Sequence, residues 1–521
     1  MPSSKVATLR ILDEVNCVFV GLSPDHLGYL SDKFALFAAN YYFNPKYKLG
    51  QWDGKIRWFH ATGRTFVNLL NEILPLVIKL GYRVKVQDLR KSDRIRPKNI
   101  DESFFSNIID PRTNEPWVVR DYQIELVNSL FEAGNGIAIA GTGAGKTSMC
   151  AALALSYERE ANFRSLIIVP DKNLTLQTRE QYSFFGLDVG EFSGSRKDLE
   201  HMHVVSIWKC LKNSPEIIKQ FNVVIVDECH GLRGKILSEL LNDYGKDIPY
   251  RFGVTGTLPK DESDKRAVVV AVGNVQYNVP AHKLMAEGHL AELEIDILQT
   301  DIDLRSQYNL YLEEQKYFKD HSDITHTFDD PLTYIQFVEQ YFTDWPAEKR
   351  FLQQEQHRLN WIVNYLQQKR DEKKGNTLVL VDGVSFGKKL ANLIPDATFL
   401  YGKTDMKERK QAYDAFKNND NLLLIATVQI ASTGLDIPRI FNLVGIDLGK
   451  SFVRVIQSIG RSLRKANDKD KAHFTDICAN LKYSKRHLRE RIKYYKEAKY
   501  KHTKQVVDLA TIDKYSHDAL L

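Results

Sequence analysis

The sequence predicts an α/β protein with two parallel-sheet domains in tandem, preceded by a small α/β (α+β) N-terminal domain and followed by a basic helical extension. Three observations lead to this prediction. At 521 residues the chain is too long for one hydrophobic core and should hold about three domains. Short β-branched runs alternate with amphipathic segments through two successive regions, as in parallel sheets with intervening helices. Both ends of the chain are basic.

The same patterns set the expected domain boundaries. An N-terminal domain over residues 1–110 ends in a basic, proline-containing stretch that is typical of a linker. The first parallel-sheet domain is predicted over residues 111–264 and the second over 265–475, with a polar, aromatic-rich insert at about 304–374. Residues 476–521 form the predicted basic extension, and we find no internal repeat.

Charge is distributed unevenly along the chain. Residues 1–100 carry 16 Lys and Arg against 8 Asp and Glu, and residues 461–504 carry 15 against 5. The net charge of the whole chain is only +6, so the middle is acidic. Basic ends around an acidic middle indicate a surface for a polyanion, although a basic run can also be a solvated helix face.

Cysteine usage and hydropathy exclude several classes of protein. The five cysteines are scattered, odd in number and never in a CxxC pair, which indicates neither a disulfide framework nor a zinc site. The chain shows neither a secretory signal nor a run near the roughly 20 apolar residues of a membrane span. We therefore expect a cytoplasmic protein with no membrane partner, in the host cytoplasm if the chain is of phage origin.

The segment AGTGAGKT, residues 140–147, has the pattern of a phosphate-binding loop between a strand and a helix. Backbone N–H groups and a helix N-terminus would converge there on the phosphates of ATP. Lys146 would add positive charge, and the Thr147 hydroxyl would bind Mg²⁺. The candidate nucleotide-binding residues are Gly141, Thr142, Gly143, Ala144, Gly145, Lys146 and Thr147.

A second motif adds hydrolytic chemistry. The apolar run Val223–Val226 is typical of a buried strand, and Asp227 and Glu228 follow it at the edge where ligands gather in open α/β sheets. Asp227 would hold Mg²⁺, while Glu228 would polarise the attacking water. The sequence thus predicts ATP and Mg²⁺ as cofactors.

The tetrapeptide Asp-Glu-Cys-His at 227–230 resembles the DExH box of superfamily 2 helicases, and Ala140 in place of Gly fits the helicase form of the phosphate loop. Other motifs of that superfamily occur in family order. The resemblance implies adenine recognition by Arg120 and Gln123, and coupling of hydrolysis to movement by Thr255, Thr257 and His230. It also implies contacts with nucleic acid from Gln177, Thr178, Ser193, Arg196 and Ser206.

The second predicted sheet domain carries the later motifs. LVLVDGVSFGKKL resembles motif IV, and ATVQIASTGLDIP, residues 426–438, resembles motif V, with Thr427 toward nucleic acid and Gly434 and Asp436 toward the nucleotide. Residues 457–464 match the QxxGRxxR pattern of motif VI. The resemblance implies two RecA-like domains with ATP in the cleft between them. Catalytic Gln457 and the arginine fingers Arg461 and Arg464 would come from the second domain.

The N-terminal segment YYFNPKYKLGQWDGKIRWF, residues 41–59, interleaves aromatic residues with lysine and arginine. Trp52, Lys55 and Arg57 could stack on bases and neutralise phosphates, or the aromatic residues could be the core of a small domain with Trp52 shaping a hairpin. The segment resembles the N-terminal domain of the UvsW-type recombination helicases of tailed bacteriophages. That resemblance implies 3′→5′ unwinding of branched DNA and R-loops, movement of Holliday junctions, and a role in recombination-dependent replication and repair.

The basic segment 482–504 is compatible with a helix that is positively charged all round, with interspersed tyrosines. We interpret it as lying along nucleic acid through residues such as Lys485 and Arg486; the alternative is a solvated helix.

The combined prediction is an ATP-dependent DNA helicase that unwinds or branch-migrates forks, Holliday junctions and R-loops in recombination, repair and replication restart. Expected partners are branched DNA, possible RNA–DNA hybrids, and single-strand-binding or recombination proteins, with the helicase acting as a monomer. Three alternatives stay open: a duplex DNA translocase, an RNA helicase, and an ATP-switched clamp that does not unwind.

Overall fold

The structure, a computed structural model, describes residues 5–91, 94–111, 113–141, 143–170, 172–194, 196–287, 289, 292–321, 331–430, 440–449 and 471–509. The chain divides into two compact units, Met1–Pro280 and Ala281–Leu521, and each is described by itself. Within the described ranges, no helix combines the length and the apolar character needed to cross a membrane.

The first unit begins with a small α/β domain. Its strands are β1 (Lys5–Ile11), β2 (Asn16–Val20), β3 (Ala35–Phe37), β4 (Lys55–Arg57), β5 (Arg64–Phe66) and β6 (Tyr82–Asp88). Its helices are α1 (Pro24–Lys33), α2 (Pro45–Lys48) and α3 (Leu70–Lys79), with 3₁₀ turns at Tyr41–Phe43 and Val67–Leu69. Four strands form a sheet in the order β5-β2-β1-β6, while β3 and β4 make a separate antiparallel hairpin.

Alternation along β1 builds the core of this domain. Ala7, Leu9 and Ile11 are buried because side chains two apart share one face of a strand. They belong to one apolar cluster with Leu30 of α1 and Ile73 of α3. The helices therefore cover that face of the sheet.

The rest of the first unit is an eight-stranded sheet. Its strands follow a short hairpin of β7 (Ile109–Asp110) and β8 (Glu115–Pro116), and are β9 (Asn135–Ala140), β10 (Ser165–Val169), β11 (Val189–Ser193), β12 (Arg196–Lys197), β13 (His203–Ile207), β14 (Val223–Asp227), β15 (Tyr250–Thr255) and β16 (Val275–Val279). The order is β12-β11-β13-β10-β14-β15-β9-β16, and every pairing except β11 with β12 is parallel.

The helices of this parallel-sheet domain connect its strands. They are α4 (Asp121–Ala133), α5 (Lys146–Ala161), α6 (Lys172–Phe184), α7 (Trp208–Asn213), α8 (Lys235–Glu239) and α9 (Glu262–Val272), with 3₁₀ segments Pro215–Gln220 and Cys229–Arg233 and a π turn Leu240–Tyr244. Crossover helices between parallel strands are the architecture that the alternating sequence pattern predicts.

Helix α9 joins the N-terminal domain to the parallel sheet. Val270 of α9 belongs to the apolar cluster of the N-terminal domain. The Asn68 amide donates to the carbonyl oxygens of Val269 (3.2 Å) and Val270 (3.1 Å), and Arg266 lies 3.1 Å from Glu72. The predicted boundary after residue 264 differs from this arrangement, because α9 continues past it and β16 completes the first sheet.

Among its described residues, the second unit contains a seven-stranded sheet in which every pairing is parallel. Its strands are β17 (Glu292–Asp301), β18 (Asn376–Val381), β19 (Thr398–Leu400), β20 (Leu423–Thr427), β21 (Ile440–Ile446), β22 (Lys471–Ala479) and β23 (Lys501–Asp508), in the order β19-β20-β18-β21-β22-β17-β23. Its described helices are α10 (Ala281–Ala286), α11 (Arg305–His321), α12 (Tyr334–Gln340), α13 (Trp345–Gln354), α14 (Gln356–Asp371), α15 (Val384–Leu393), α16 (Met406–Asn418) and α17 (Lys482–Glu497).

The predicted insert and the predicted C-terminal extension pack together. Helices α11 to α14 occupy the insert, and Phe337 and Leu352 from it share an apolar cluster with Leu481 and Leu509. The Glu348 carboxylate accepts from the backbone N–H groups of Tyr483 (2.8 Å) and Ser484 (2.7 Å), which caps the start of α17.

The C-terminal segment is thus part of the second domain rather than an appendage. Strand β22 crosses the predicted boundary at 475, and β23 forms the sheet edge by pairing with β17. Arg491 of α17 donates to buried Asp476 of β22 at 2.8 and 2.9 Å, and Tyr495 donates to the same carboxylate at 2.9 Å. Helix α17 therefore has a buried face instead of charge all round.

Candidate active site

Three neighbouring strands bring the predicted catalytic motifs to one edge of the first sheet. Strand β15 lies between β14 and β9, and all three run parallel. The phosphate loop follows β9, the Asp-Glu-Cys-His motif follows β14, and Thr255 ends β15. Because the carboxyl ends of parallel strands share an edge, sequence segments far apart become neighbours there.

The phosphate loop depends on backbone conformations that favour glycine. Gly143 and Gly145 have φ of 87° and 78°. A Cβ at Gly145 would lie 2.3 Å from Nε2 of Gln123, so a side chain is excluded by contact as well as by conformation. Helix α5 begins immediately after, at Lys146. The loop thus leads directly into a helix N-terminus, as anion binding requires.

Gln123, which the family resemblance assigns to adenine, is buried and supports this loop. Its Nε2 donates to the Ala144 carbonyl at 2.9 Å, and its Oε1 accepts from the Arg120 backbone N–H at 3.1 Å. The Tyr122 hydroxyl also donates to Ala144, at 3.0 Å. Arg120 in turn donates to the Tyr122 hydroxyl at 3.1 Å. The start of α4 therefore fixes the shape of the loop.

Lys146 lies between the loop and the acidic motif. Its Nζ donates to the carbonyl of Ala140 at 3.3 Å and lies 3.9 Å from Oε1 of Glu228. The side chain of Ala140 is fully buried. Thr147 follows as the second residue of α5, partly buried. The ammonium group is therefore close to the position that the phosphates of a nucleotide would take.

The two acids experience opposite electrostatic effects. Burial, reinforced by the adjacent Glu228 carboxylate, raises the pKa of Asp227 above its usual value. Burial would also raise the pKa of Glu228, but Lys146, His230 and the Thr255 hydroxyl outweigh it and lower this pKa below its usual value. Glu228 has a left-handed backbone with φ of 51°, and its N–H donates to Asp227 Oδ1 at 2.9 Å. A cation beside Asp227 would relieve the cost of its burial.

Thr255 links the acidic motif to the residues predicted to couple hydrolysis to movement. Its buried hydroxyl lies 3.2 Å from Glu228 Oε2, 3.0 Å from His230 Nδ1 and 2.9 Å from the Thr257 carbonyl. His230 Nδ1 is also 3.3 Å from Glu228 Oε2. These contacts connect Glu228 directly to the segment after β15.

The donor set suits Mg²⁺. Asp227 offers carboxylate oxygens and Thr147 a hydroxyl, which are the hard ligands this ion prefers. Among the described residues, no cluster of three or more His, Cys, Asp or Glu side chains could enclose a metal. Mg²⁺ in nucleotide sites takes one or two protein ligands and completes its shell with phosphates and water, so the residues fit this ion.

The predicted nucleic-acid contacts of the first sheet fall into two groups. Ser193 and Ser206 are buried; the Ser206 hydroxyl donates to the Phe192 carbonyl at 2.8 Å, and that of Ser193 donates to buried Glu191. Both hydroxyls are therefore engaged in hydrogen bonds within the sheet, and not exposed for the contact with nucleic acid that the sequence predicts. Arg196 is half exposed, 3.4 Å from Glu191. Gln177 and Thr178 lie on α6, respectively partly buried and buried.

The predicted nucleic-acid contacts near the two ends of the chain also differ in how far their polar groups are engaged. The Trp52 indole N–H donates to the Lys55 carbonyl at 2.9 Å, and Arg57 donates to Asp53 at 2.7 Å. Trp52 therefore closes a turn, as expected if this segment shapes a hairpin. On α17, Lys485 and Arg486 are exposed, whereas Tyr494 and Tyr495 are buried.

Several predicted residues lie outside the described residues: Thr142, Gly434, Asp436, Gln457, Arg461 and Arg464. Thr427 is described; it ends β20 and is buried. Sequence reasoning missed two supporting residues: Tyr122, which donates to the Ala144 carbonyl, and Glu191, which accepts from the Ser193 hydroxyl. The position of Tyr122 next to Gln123 at the start of a helix could have indicated its role. No signal in the sequence indicated the role of Glu191.

Comparison with known families matches three successive parts of the chain to protein domains. Residues 117–260 match the family described as type III restriction enzyme, res subunit, and residues 357–466 match the helicase conserved C-terminal domain. Residues 12–87 match the N-terminal domain of the DNA helicase UvsW. The three matches follow one another along the chain in the order that the motifs predict.

Individual relatives agree with the family matches. The ATP-dependent DNA helicase uvsW of Enterobacteria phage T4 is 25% identical, over 92% of this chain and 95% of the relative. The DNA 3'-5' translocase XPB2 of Sulfurisphaera tokodaii is 23% identical, over 73% of this chain and 86% of the relative. The DNA-bound type ISP restriction-modification enzyme LlaBIII shares the fold, with a TM-score of 0.51 and 13% identity, over 84% of this chain and 36% of that structure.

The family matches imply that the chain uses a nucleotide and binds nucleic acid. The fold prediction of two RecA-like parallel-sheet domains is confirmed. This protein is a superfamily 2, ATP-dependent helicase similar to UvsW.

Proposed function

We propose that this helicase acts on DNA, and that it unwinds or branch-migrates forks, Holliday junctions and R-loops in recombination, repair and replication restart. The observation that carries the proposal is the combination of the Lys146–Glu228–Thr255 cluster with an N-terminal domain matching that of UvsW. The relatives support DNA as the track, since both uvsW and XPB2 are named for action on DNA.

The contacts in the first sheet support the following catalytic roles. The loop residues Gly141 to Gly145 and the N-terminus of α5 bind the phosphates of ATP, and Lys146 neutralises their charge. Thr147 and Asp227 would hold Mg²⁺, which would neutralise charge at the phosphoryl group when bound. Glu228 stays ionised beside Lys146 and polarises the attacking water.

The later motifs complete the proposal through family resemblance alone, because their residues lie outside the described residues. On that resemblance, Arg461 and Arg464 are assigned as arginine fingers, Gln457 as a further catalytic residue, and Gly434 and Asp436 as nucleotide-binding residues. Hydrolysis at Glu228 changes the contacts of Thr255, His230 and Thr257, and through them the grip of the first unit on a strand near Gln177, Thr178 and Arg196. Thr427 of the second unit is a separate proposed contact with nucleic acid. Each cycle of ATP moves the protein along one strand.

Duplex translocation without strand separation is the second candidate, because a relative is named as a translocase. A strand-displacement assay distinguishes the two. Wild-type protein and a Lys146→Ala control are compared on labelled single strands, forks, four-way junctions and R-loops, with ATP turnover measured alongside. We expect ATP-dependent displacement by the wild type alone.

The same assay tests whether the protein is a duplex translocase, a clamp or an RNA helicase. ATP turnover without displacement on any branched substrate would reject the helicase proposal, and displacement of a third strand from a triplex would then identify a duplex translocase. Binding that responds to ATP with neither activity would identify a clamp. Displacement only from substrates with an RNA loading strand would identify an RNA helicase.

A further inference from the structure

An exposed aromatic surface lies on the N-terminal domain, between β3 and β4. Residues 38–54 connect β3 to β4 and contain a short 3₁₀ turn and helix α2. The rings of Phe37, Tyr42 and Phe43 are 49%, 51% and 66% exposed. We call these three rings the aromatic platform. Adjacent large apolar side chains left in solvent are a feature of binding surfaces.

Tyr41 holds the platform in place. Its ring stacks on Phe37 with centroids 4.5 Å apart and planes 26° apart, and meets Tyr47 edge-on at 4.8 Å. Gly54 has φ of +78°, and a Cβ there would lie 2.7 Å from Tyr41 Cδ2, so the ring is pressed against bare backbone. The Ala38 N–H donates to the Gly54 carbonyl at 2.8 Å. The exposed rings therefore lie next to a side chain, Tyr41, that is packed against the hairpin.

Three lysines lie in or next to the segment that carries the platform. Lys46 and Lys48 are exposed on α2, and Lys55 Nζ lies 5.2 Å from the centre of the Phe37 ring. Residues 38–52 contain no acid. The nearest acid in sequence, Asp53, is paired with Arg57 at 2.7 Å. Exposed aromatic faces beside exposed cations match the two parts of a nucleic-acid strand, its bases and its phosphates.

We propose that the aromatic platform stacks on unpaired bases of a DNA strand while Lys46 and Lys48 contact its phosphates. The inference rests on the proposed function, and it assigns base contact to Phe37, Tyr42 and Phe43 in place of Trp52 and Arg57, whose polar groups are engaged within the hairpin. Stacking is independent of sequence because every base has an aromatic face. A helicase acting at varied junctions needs contacts of this kind.

The test uses the full-length protein without nucleotide and a fluorescent oligothymidine strand as probe. Tyr42→Ala/Phe43→Ala should weaken binding about tenfold or more, because each stacked base contributes about 1–3 kcal/mol. Affinity for blunt duplex DNA should be unchanged, since paired bases are not available to the platform. Tyr42→Phe/Phe43→Tyr keeps both rings and should bind as the wild type does.

Two controls make the result specific. Tyr29→Ala removes a ring of similar exposure, 47%, on α1 outside the platform, and should leave single-strand affinity unchanged. Lys46→Gln/Lys48→Gln should lower the slope of log affinity against log salt by about 1.4, whereas the aromatic variant should leave that slope unaltered. Equal single-strand affinity of the aromatic variant and the wild type would overturn the inference, including the case in which the platform binds a protein.

Failure of the inference and failure of the proposed function are distinguishable. If the wild type displaces strands from forks and the aromatic variant binds single strands normally, only the inference is wrong. If the wild type displaces no strand but the aromatic variant loses single-strand affinity, the inference holds and the unwinding proposal fails.

Discussion

The active-site cluster and the aromatic platform belong to the same compact unit but are built in opposite ways. In the cluster, Lys146, Glu228, Thr255 and His230 are fixed by hydrogen bonds and ion pairs among polar groups at the end of a buried sheet. In the platform, Tyr42 and Phe43 are exposed, and the positioning contacts lie beneath them in Tyr41 and Gly54.

This difference follows from what each surface does. Phosphoryl transfer needs donors and acids already oriented toward developing charge, because reorganisation during the reaction would cost free energy. Stacking on a moving strand needs open faces that accept any base and release it. We therefore expect the largest losses from substitution of the charged groups in the cluster. Substitutions on exposed surfaces should have smaller, graded effects, which depend on salt only where a charge is removed.

The largest effect is expected from the water-activating acid. Glu228→Gln should lower DNA-stimulated ATP turnover by about 10²- to 10⁴-fold, because a neutral amide polarises the attacking water far less than a carboxylate does. Lys146→Ala should likewise abolish turnover, with DNA binding largely intact in both variants. Steady-state ATPase assays and binding titrations measure the two quantities. Glu216→Gln, at an exposed acid paired with Lys219, is the matched control. Normal turnover by Glu228→Gln would show that another group activates water.

The next effect concerns the shape of the phosphate loop. Gly145→Ala places a methyl group against Gln123 and strains the backbone, so ATP affinity should fall about tenfold, equivalent to about 1.4 kcal/mol. Gly186→Ala is a control for strain alone, because Gly186 has φ of +84° but open space around its Cβ position. It should lower the free energy of unfolding by about 1–2 kcal/mol and leave ATP affinity unchanged. If both variants lose ATP affinity equally, the Gln123 contact is irrelevant to binding.

A smaller effect is expected at the link between hydrolysis and movement. Thr255→Val removes a hydroxyl that contacts Glu228, His230 and Thr257, and the unsatisfied partners should cost about 1–3 kcal/mol. Strand displacement should fall about tenfold, and by more than ATP turnover does. Thr255→Ser keeps the hydroxyl and should restore both activities. Equal losses of turnover and displacement would count against a coupling role.

The smallest effect is expected on α17. Lys485→Ala/Arg486→Ala removes two exposed charges and should weaken DNA binding uniformly across sequences, lowering the salt slope by about 1.4–1.8. Point substitutions are required, because truncation at residue 482 would also remove the buried pair of Arg491 with Asp476. Lys235→Ala, at an exposed lysine of the first unit, serves as a control. An unchanged affinity over a salt series would leave α17 without a role in binding.

Much of the fold could be predicted from the sequence, because strands that are buried on both faces leave a visible signal. The apolar run Val223–Val226 and the loop AGTGAGKT placed β14, β9 and the start of α5 correctly. The boundary at 264 and the helical extension were less well predicted. Strands β16 and β23 are edge strands whose sequences are not continuous apolar runs, so their membership of a sheet depends on the neighbour they pair with.

The candidate site shows the same division at the level of single residues. The sequence alone determined which residue types carry the chemistry, because Lys146, Asp227 and Glu228 belong to local motifs whose spacing fixes their place at strand ends. Only the tertiary structure decided that Gln123 braces the loop, that Ser206 is buried, that Trp52 closes a turn and that Tyr42 and Phe43 remain exposed. Those outcomes depend on which partner each side chain meets, and a one-dimensional pattern does not record partners.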